Sequence, residues 1–540
     1  MVTSAGPAHS RATWLPAVAA VVVGASVVAF AWSDVMPGVG FWDTGEFQTV
    51  LPLLGTAHPT GYPTYVLLGF VANLLLGPLG EPAFRINVLS LLAVAAAAGL
   101  TVELARRLTG SLALGVAAGI GLALTPEVLE NATRADPHPI HLLFVAILLV
   151  LLIGWEGARR AGSAHAGRWL VAAAAVFGLS AGNHSLTLLL APPIGLYVLT
   201  VQPGIVRRPR LIGACLAALA VALVAVYLEL PIRSGLLPAP LVYANPSTWD
   251  GFWYIALAEQ FRGSLVDPLG NLPQKLADVW SLTVGQLGIF AILVPFGFLA
   301  TLVRAPRFAI LTGLAMAITV VFNESYSNAD IDRYYLGPIL WAWTWLAMLG
   351  SVVVDALLAA WAVVARAGAG GPAGGAAGVA GGRWAIGGGR AAPLTAGAVS
   401  VIVAIALLAP SLSDAAATRD LADRSGDTSA ADWLDSVLPG IAPNGVIVSW
   451  WSTSTPLWYA TLVEDRRPDI TVIDDRTILD RGYDTANGAI SAFLGSRPVY
   501  IIRANEGDLD LVLAAYQLQP VAGSGSLEVY EVTGARGTPG

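Results

Sequence analysis

The sequence predicts a polytopic α-helical membrane protein of about eleven spans, carrying a small α/β domain outside the membrane at its C-terminus. Three observations lead there. Hydrophobic residues make up 56% of the 540-residue chain and charged residues only 12%, roughly half the charge of a soluble protein. Apolar runs of roughly 17–25 residues recur, each able to cross about 30 Å of hydrocarbon as a helix. Past residue 411 the composition changes abruptly, to short apolar runs between polar stretches.

The elements follow in order. Trp14 to Phe30, behind Arg11, is long enough to span and reads as a retained signal anchor rather than a cleaved leader. Spans are expected over 14–33, 86–107, 110–126, 138–155, 169–184, 185–201, 209–230, 285–303, 308–323, 336–362 and 391–411. Residues 63–79 are apolar but short, start behind His58-Pro59 and Gly61-Tyr62-Pro63, and contain Asn73. They are expected to lie along the outer face without crossing. Basic residues select that choice. Without a crossing there, Arg106, Arg107, Arg159, Arg160, Arg168, Arg207, Arg208, Arg210, Arg304, Arg307, Arg366, Arg383 and Arg390 share the side of Arg11. A crossing would swap every later loop and violate the positive-inside rule repeatedly. The expected N-terminus is therefore cytoplasmic and the C-terminus extracytoplasmic, in the plasma membrane if the source is bacterial. Residues 1–411 form the expected transmembrane domain, with 367–389 a flexible Gly/Ala-rich cytoplasmic linker. Residues 412–540 form the expected external domain, with buried strands at Gly445 to Trp450, Asp469 to Ile473 and Val499 to Arg503, and a helix over 455–464.

Composition also excludes. The net charge of −7 belongs to loops and tail, so the partner to expect is the lipid bilayer and not nucleic acid. Cys215 is the single cysteine, which rules out an intramolecular disulfide or a multi-thiolate metal site and leaves it as core filler.

The chemistry concentrates in the first external loop. Asp43-Thr44-Gly45-Glu46 places two carboxylates three residues apart, on one face of a helix beginning near Asp43. The alternative is a helix cap, with Asp43 at the N-cap and Glu46 its capping-box partner. Position favours chemistry: Phe41, Trp42 and Phe47 flank the pair just past a span, and apolar surroundings suit a carboxylate to general-base work. Arginine grips a departing phosphate bidentately. The candidates outside are Arg333, next to Tyr334 and Tyr335, then Arg233 and Arg85; for Arg333 the alternative is an interface arginine or a partner of Asp330 or Asp332. Asn183-His184 breaks a hydrophobic hairpin, Asp136-Pro137-His138 with His141 opens a span, and Glu229–Arg233 has the spacing of an i,i+4 ion pair. Loop 231–284, with Trp249, Asp250, Phe252, Trp253, Tyr254, Glu259 and Arg262, reads as an amphipathic interfacial helix or as a sugar-stacking surface. His58, Asp136, His138 and His184 have no strong ligand spacing, so no metal or other cofactor is expected, a divalent ion being the alternative.

Asp43-Thr44-Gly45-Glu46-Phe47, then His58-Pro59-Thr60-Gly61-Tyr62-Pro63, then Arg85-Ile86-Asn87-Val88-Leu89-Ser90 resemble the core of one family. It is the protein O-mannosyltransferase-like polytopic membrane family (transmembrane protein 260-like), in the GT-C glycosyltransferase superfamily. Gly178 to His184, Tyr227 to Arg233, Asn245-Pro246, Asp332 to Tyr335, Gly445 to Val448 and Arg467 to Ile470 continue the resemblance. Two departures stand out: Thr60 replaces a usual proline, and Asp136-Pro137-His138 replaces an E-V-Y element, keeping the carboxylate but losing the tyrosine.

The resemblance implies a GT-C-like bundle whose first external loop forms juxtamembrane helices. It implies an inverting glycosyltransferase taking a sugar, with mannose first, from a polyprenyl-phosphate donor to a protein or glycan hydroxyl. Asp43 becomes the catalytic base and Glu46 its partner. His58, Tyr62, Arg85, Asn183, His184, Arg233, Arg333 and Tyr334 become the residues that meet the donor. A transporter and a non-catalytic binder of polyprenyl lipid or glycan are the competing readings.

Overall fold

A computed structural model describes residues 14–267, 270–368, 391–503, 506–521 and 527–536. Arg11, and the expected linker beyond residue 368 with Arg383 and Arg390, lie outside the described residues. Among those described, eight helices are long and apolar enough to cross a bilayer: Leu15–Asp34, Pro82–Thr109, Pro137–Arg160, Pro209–Leu236, Leu272–Arg304, Pro306–Asn323, Ile331–Ala365 and Thr395–Ser413. A ninth candidate is bent, Leu112–Ala123 meeting Pro126–Ala132 at 66°. The bend follows from Pro126, which offers no amide to the preceding turn and pushes Thr125 into an extended conformation.

The other two expected spans, 169–184 and 185–201, are helical but are not among those eight or nine, so the described residues give fewer spans than the eleven expected. Ala166–Asn183 ends where His184 turns extended, and His184 Nδ1 accepts from the Leu186 amide to start a 3-10 turn, Ser185–Leu190, leading into Ala191–Val201. Residues 63–79 form a helix Pro63–Leu75 and a 3-10 turn Gly77–Leu79. Thirteen helical residues reach only about 20 Å, too short to cross.

Pro82–Thr109 is the central helix, packed on Leu15–Ala31, Leu112–Ala123 and Pro137–Arg160. Small residues permit the approach: a Cβ on Gly119 would lie 2.6 Å from the Ala98 carbonyl oxygen, so any larger residue would force the two backbones apart. Trp343 and Trp345 fill the interior and donate their indole N–H groups to Thr125 and Thr312, both at 3.0 Å, which removes the penalty of burying them unpaired.

Beyond Ser413 the chain builds a five-stranded sheet: β1 (Val446–Val448), β2 (Thr471–Ile473), β3 (Val499–Ile501), β4 (Tyr516–Pro520) and β5 (Tyr530–Ala535). The order is β2-β1-β3-β5-β4, parallel among β1, β2 and β3 and antiparallel at β5 and β4. The three expected strands are present in shorter form. The last two were not expected, because β4 is a half-exposed Tyr-Gln-Leu-Gln-Pro with no buried run. Apolar residues cover both faces, as a parallel sheet requires. One face shares its core with the membrane part, since Val39 and Ala83 pack with Trp433, Leu434, Leu457 and Tyr459. The Ala83 amide donates to Tyr459 Oη at 3.0 Å, Arg419 pairs with buried Asp34 at 2.7 Å and Arg424 pairs with Glu130 at 2.8 Å.

Candidate active site

The first loop forms a helix, Trp42–Leu53, whose first turn carries Asp43. Neither carboxylate caps it: Phe41 is the N-cap and no side chain bonds there. Glu46 instead reaches forward. Its Oε1 accepts from the His58 amide at 2.7 Å and its Oε2 lies 2.5 Å from His58 Nδ1. Tyr62 Oη is 3.2 Å from His58 Nε2, and the Phe47 ring packs on His58, Tyr62 and Tyr65. Glu46, His58 and Tyr62 thus form one rigid chain beneath Asp43. Burial pushes the Glu46 carboxyl up, and His58 only partly offsets this. Burial would lower His58, but Glu46 and Asp43 together hold it above its ordinary value, as expected for a proton held between the two groups.

Asp43 itself is 30% exposed and faces a cavity. Arg333, from the 3-10 turn Ile331–Tyr335, donates Nη2 to Asp43 Oδ2 at 3.1 Å and Nη1 to Asp136 Oδ2 at 2.9 Å. Asp136 caps Pro137–Arg160 and also bonds His138 Nδ1 at 2.6 Å. Burial would raise both aspartates. For Asp43 this is overcome by His58 and Arg333, and for Asp136 by His138 and Arg333, so both stay below the usual carboxylate range and ionised. The Trp451 indole N–H approaches Asp43 Oδ1 at 3.4 Å from the sheet region.

The cavity holds about 1140 Å³. Its membrane-side wall carries Tyr62, His138, His184 and Tyr334, with the His138 ring tilted against those of His184 and Tyr334 at 4.6 and 4.8 Å between ring centroids. Neither His138 Nε2 nor His184 Nε2 has a hydrogen-bond partner among the described residues. The opposite wall is the carboxyl end of the sheet, where Trp450 and Trp451 follow β1 and Asp474, Asp475 and Arg476 follow β2. That is the edge at which parallel α/β sheets bind ligands.

Three residues expected to meet the donor do not line this cavity. Arg85 donates to the Gly80 carbonyl and to Asn73. Asn183 donates to the Pro137 carbonyl at 3.0 Å. Arg233 donates to the Leu53 and Leu54 carbonyls at 3.1 and 2.9 Å, satisfying the open end of the Asp43 helix. That corrects the expected Glu229–Arg233 pair as well, since both Glu229 oxygens lack a partner among the described residues. Sequence reasoning noted Asp136 and His138 without placing them in the site. It did not find Trp451 or the Asp474–Arg476 loop, whose only signal was a tryptophan pair directly after a strand.

The cavity arginines differ in what holds them. Arg333 serves Asp43 and Asp136, Arg134 and Arg424 share Glu130, and Arg476 pairs with Asp480. Among the described residues, Arg262 is the cavity arginine with no carboxylate partner, and it is exposed. One oxygen or nitrogen from each of Asp43, Glu46 and His58 lies within 4.8 Å of the others, so these three could hold a divalent ion once the Glu46–His58 and Asp43–Arg333 contacts opened.

The Asp43 helix is clamped by the sheet region through Gly45. A Cβ there would lie 2.2 Å from the Gly40 carbonyl oxygen and 2.9 Å from Thr455 Oγ1. Gly45→Ala is therefore expected to destabilise the protein by about 1–3 kcal/mol, as overpacking does, and to loosen the sheet region. Limited proteolysis within residues 414–540 should accelerate severalfold together with a lowered Tm; equal cleavage rates would refute the clamp.

Residues 43–204 match the family model described as the protein O-mannosyl-transferase TMEM260 N-terminal domain. Those residues are similar to that family's N-terminal domain. The match opens on Asp43, includes Glu46, His58, Tyr62, Arg85, Asp136, Asn183 and His184, and ends before Arg233 and Arg333. Protein O-mannosyl-transferase TMEM260 of Mus musculus is 32% identical over 241 residues, covering 43% of this chain and 33% of that relative's length. The chain thus matches about a third of the relative. ArnT from Cupriavidus metallidurans bound to undecaprenyl phosphate superposes with a TM-score of 0.56 at 18% identity, over 96% of this chain and 98% of that one. The apo form gives a TM-score of 0.56 at 17% identity, over 97% and 98%. At such identity the likeness is one of fold, the GT-C fold. With the TMEM260-type domain and the apolar helices, it makes this chain a multi-pass integral membrane protein.

Proposed function

We propose that the chain is an inverting membrane glycosyltransferase, moving a sugar from a polyprenyl-phosphate donor to a hydroxyl of a protein or glycan. Mannose is the first candidate sugar. One observation carries the reading: Asp43, ionised and held by Arg333, sits on the wall of a large cavity between the membrane bundle and the sheet. The printed name of the mouse relative, an O-mannosyl-transferase, and the undecaprenyl phosphate bound by ArnT support the donor class.

In the proposed step the acceptor oxygen attacks the anomeric carbon and its proton passes to Asp43. The bond from that carbon to the phosphate oxygen breaks, and its electron pair leaves on the polyprenyl phosphate. Glu46 acts through His58, which it fixes in place. Tyr62, His184 and Tyr334 line the sugar side of the cavity. Arg333, already bridging two carboxylates, serves Asp43 rather than the phosphate. The phosphate is met by Arg262, whose guanidinium no carboxylate engages among the described residues. No metal ion is needed for this sequence of events. The orientation proposed is cytoplasmic for the N-terminus and extracytoplasmic for the cavity and sheet, supported by the side on which arginines collect; in a bacterium that membrane is the plasma membrane.

The test incubates purified protein in proteoliposomes with labelled polyprenyl-phosphate mannose or glucose and hydroxyl acceptors. Donor-dependent transfer by wild type, lost in Asp43→Asn, supports the proposal. Sugar or lipid flux without transfer identifies a transporter, and saturable binding with neither identifies a binder. Arg262→Gln is expected to raise the KM for donor about tenfold, the effect of losing one charge-assisted phosphate contact, while kcat stays within about twofold. An unchanged KM would remove Arg262 from the phosphate site.

A further inference from the structure

Trp451 links the sheet region to the reacting carboxylate. It is the first residue of the helix Trp451–Trp458, directly beyond β1. Its indole N–H lies 3.4 Å from Asp43 Oδ1, while Arg333 Nη2 lies 3.1 Å from Oδ2. Ring contacts hold the indole in place: His58 at 5.7 Å, Tyr243 at 5.9 Å and Trp458 at 5.7 Å between centroids, each close to perpendicular. The neighbouring Trp450 meets Trp42 edge-on at 4.9 Å. Trp42 has a positive φ of 58°, a conformation that a large side chain adopts only when its surroundings impose it.

We propose that Trp451 is a positioning residue for Asp43, supplied by the C-terminal sheet region, so that this region completes the reaction centre rather than only neighbouring it. This rests on the reading of Asp43 as the base. Two donors from opposite sides, one on each oxygen, fix the plane of the carboxylate and leave its remaining lone pairs turned to the cavity. The donor also favours the ionised form. Besides Arg333, the titratable groups acting on Asp43 are Glu46, His58 and Tyr62 from the first loop, Asp136 and His138 at the start of Pro137–Arg160, and Tyr326 and Tyr334 on the Arg333 side; Trp451 adds an uncharged N–H hydrogen-bonded to the carboxylate.

The experiment measures kcat/KM against pH for Trp451→Phe, which keeps an aromatic ring against His58, Tyr243 and Trp458 but has no N–H. The control is Trp433→Phe, a tryptophan of the same region that does not line the cavity and whose indole N–H has no hydrogen-bond partner among the described residues. Tm in the same detergent establishes folding first, and Trp451→Leu, which likewise carries no donor, replaces Trp451→Phe if the latter does not fold. The expected result is a fall in kcat/KM of about tenfold, with the acidic limb of the profile moved up by roughly half to one pH unit, as for loss of one hydrogen bond to a charged group. Trp433→Phe should keep the wild-type profile. A Trp451 variant whose limb coincides with wild type overturns the inference, whatever its absolute rate, because a purely structural role lowers rate without moving the limb. Absence of transfer by the wild-type chain would instead overturn the glycosyltransferase reading.

Discussion

Asp43→Asn is expected to lower kcat about a thousandfold, the middle of the range that a positioned general base contributes. The substitution is close to isosteric, and its single amide oxygen can still accept from Arg333 while the amide nitrogen takes the place of the oxygen nearest Trp451. The geometry of the cavity should therefore persist, and the KM for donor should stay within about threefold. Single-turnover transfer with labelled donor separates these quantities. Because His58 and Arg333 hold Asp43 below the ordinary carboxylate range, the wild-type rate should fall on acidification only as Asp43 takes up its proton, at a lower pH than for an ordinary carboxylate base. A variant that keeps a tenth of wild-type kcat would exclude Asp43 as the base and return it to a structural role.

Arg333→Gln should produce the second largest effect. The Arg333 side chain is 11% exposed and stands between Asp43 and Asp136, so its removal leaves two anions facing each other with little water. Breaking a buried pair in this way costs about 3–5 kcal/mol. The sign of its pH dependence follows. In the wild type both aspartates are depressed, so their stabilising contribution is present above their unfolded pKa and is lost as pH falls through the folded one. Without Arg333 the folded pKa of Asp43 rises, and the variant is most destabilised at neutral pH and least at acid pH. The Tm difference between wild type and variant should shrink on going from pH 7 to pH 5, and transfer should fall by about a hundredfold, as for loss of a fixed electrostatic partner. Arg333→Lys should recover little, since one ammonium cannot span two carboxylates as a guanidinium fork does. A pH-independent Tm difference would refute the bridge.

The first-loop part of the site was legible because it is local. Asp43, Glu46, His58 and Tyr62 fall within one stretch of 20 residues, and helical spacing alone places the two carboxylates on one face. Short apolar length and the side on which arginines gather predicted that 63–79 would not cross, and Pro63–Leu75 is too short to do so. Motif membership was less informative about role. Arg85, Asn183 and Arg233 stand in recognisable motifs, yet Arg85 and Arg233 are bonded to backbone carbonyls of the first loop and Asn183 to that of Pro137. They shape the site without lining it.

Returning to composition and pattern, the sequence by itself determined the solvent. An interior of apolar helices with so few charges has no stable arrangement in water, so the membrane bundle, the short helix Pro63–Leu75 and the strands β1, β2 and β3 all follow from local hydrophobicity and period. Tertiary structure alone decided which charges neutralise which. Arg333 reaches Asp136 across 197 positions and Asp43 across 290, and Trp451 reaches Asp43 across 408. The physical reason is that an ion pair or a hydrogen bond depends on a separation of about 3 Å, which periodicity sets only within one helix or strand. Between elements, that distance is set by how the bundle and the sheet pack, and the small residues at Gly45 and Gly119 permit that packing.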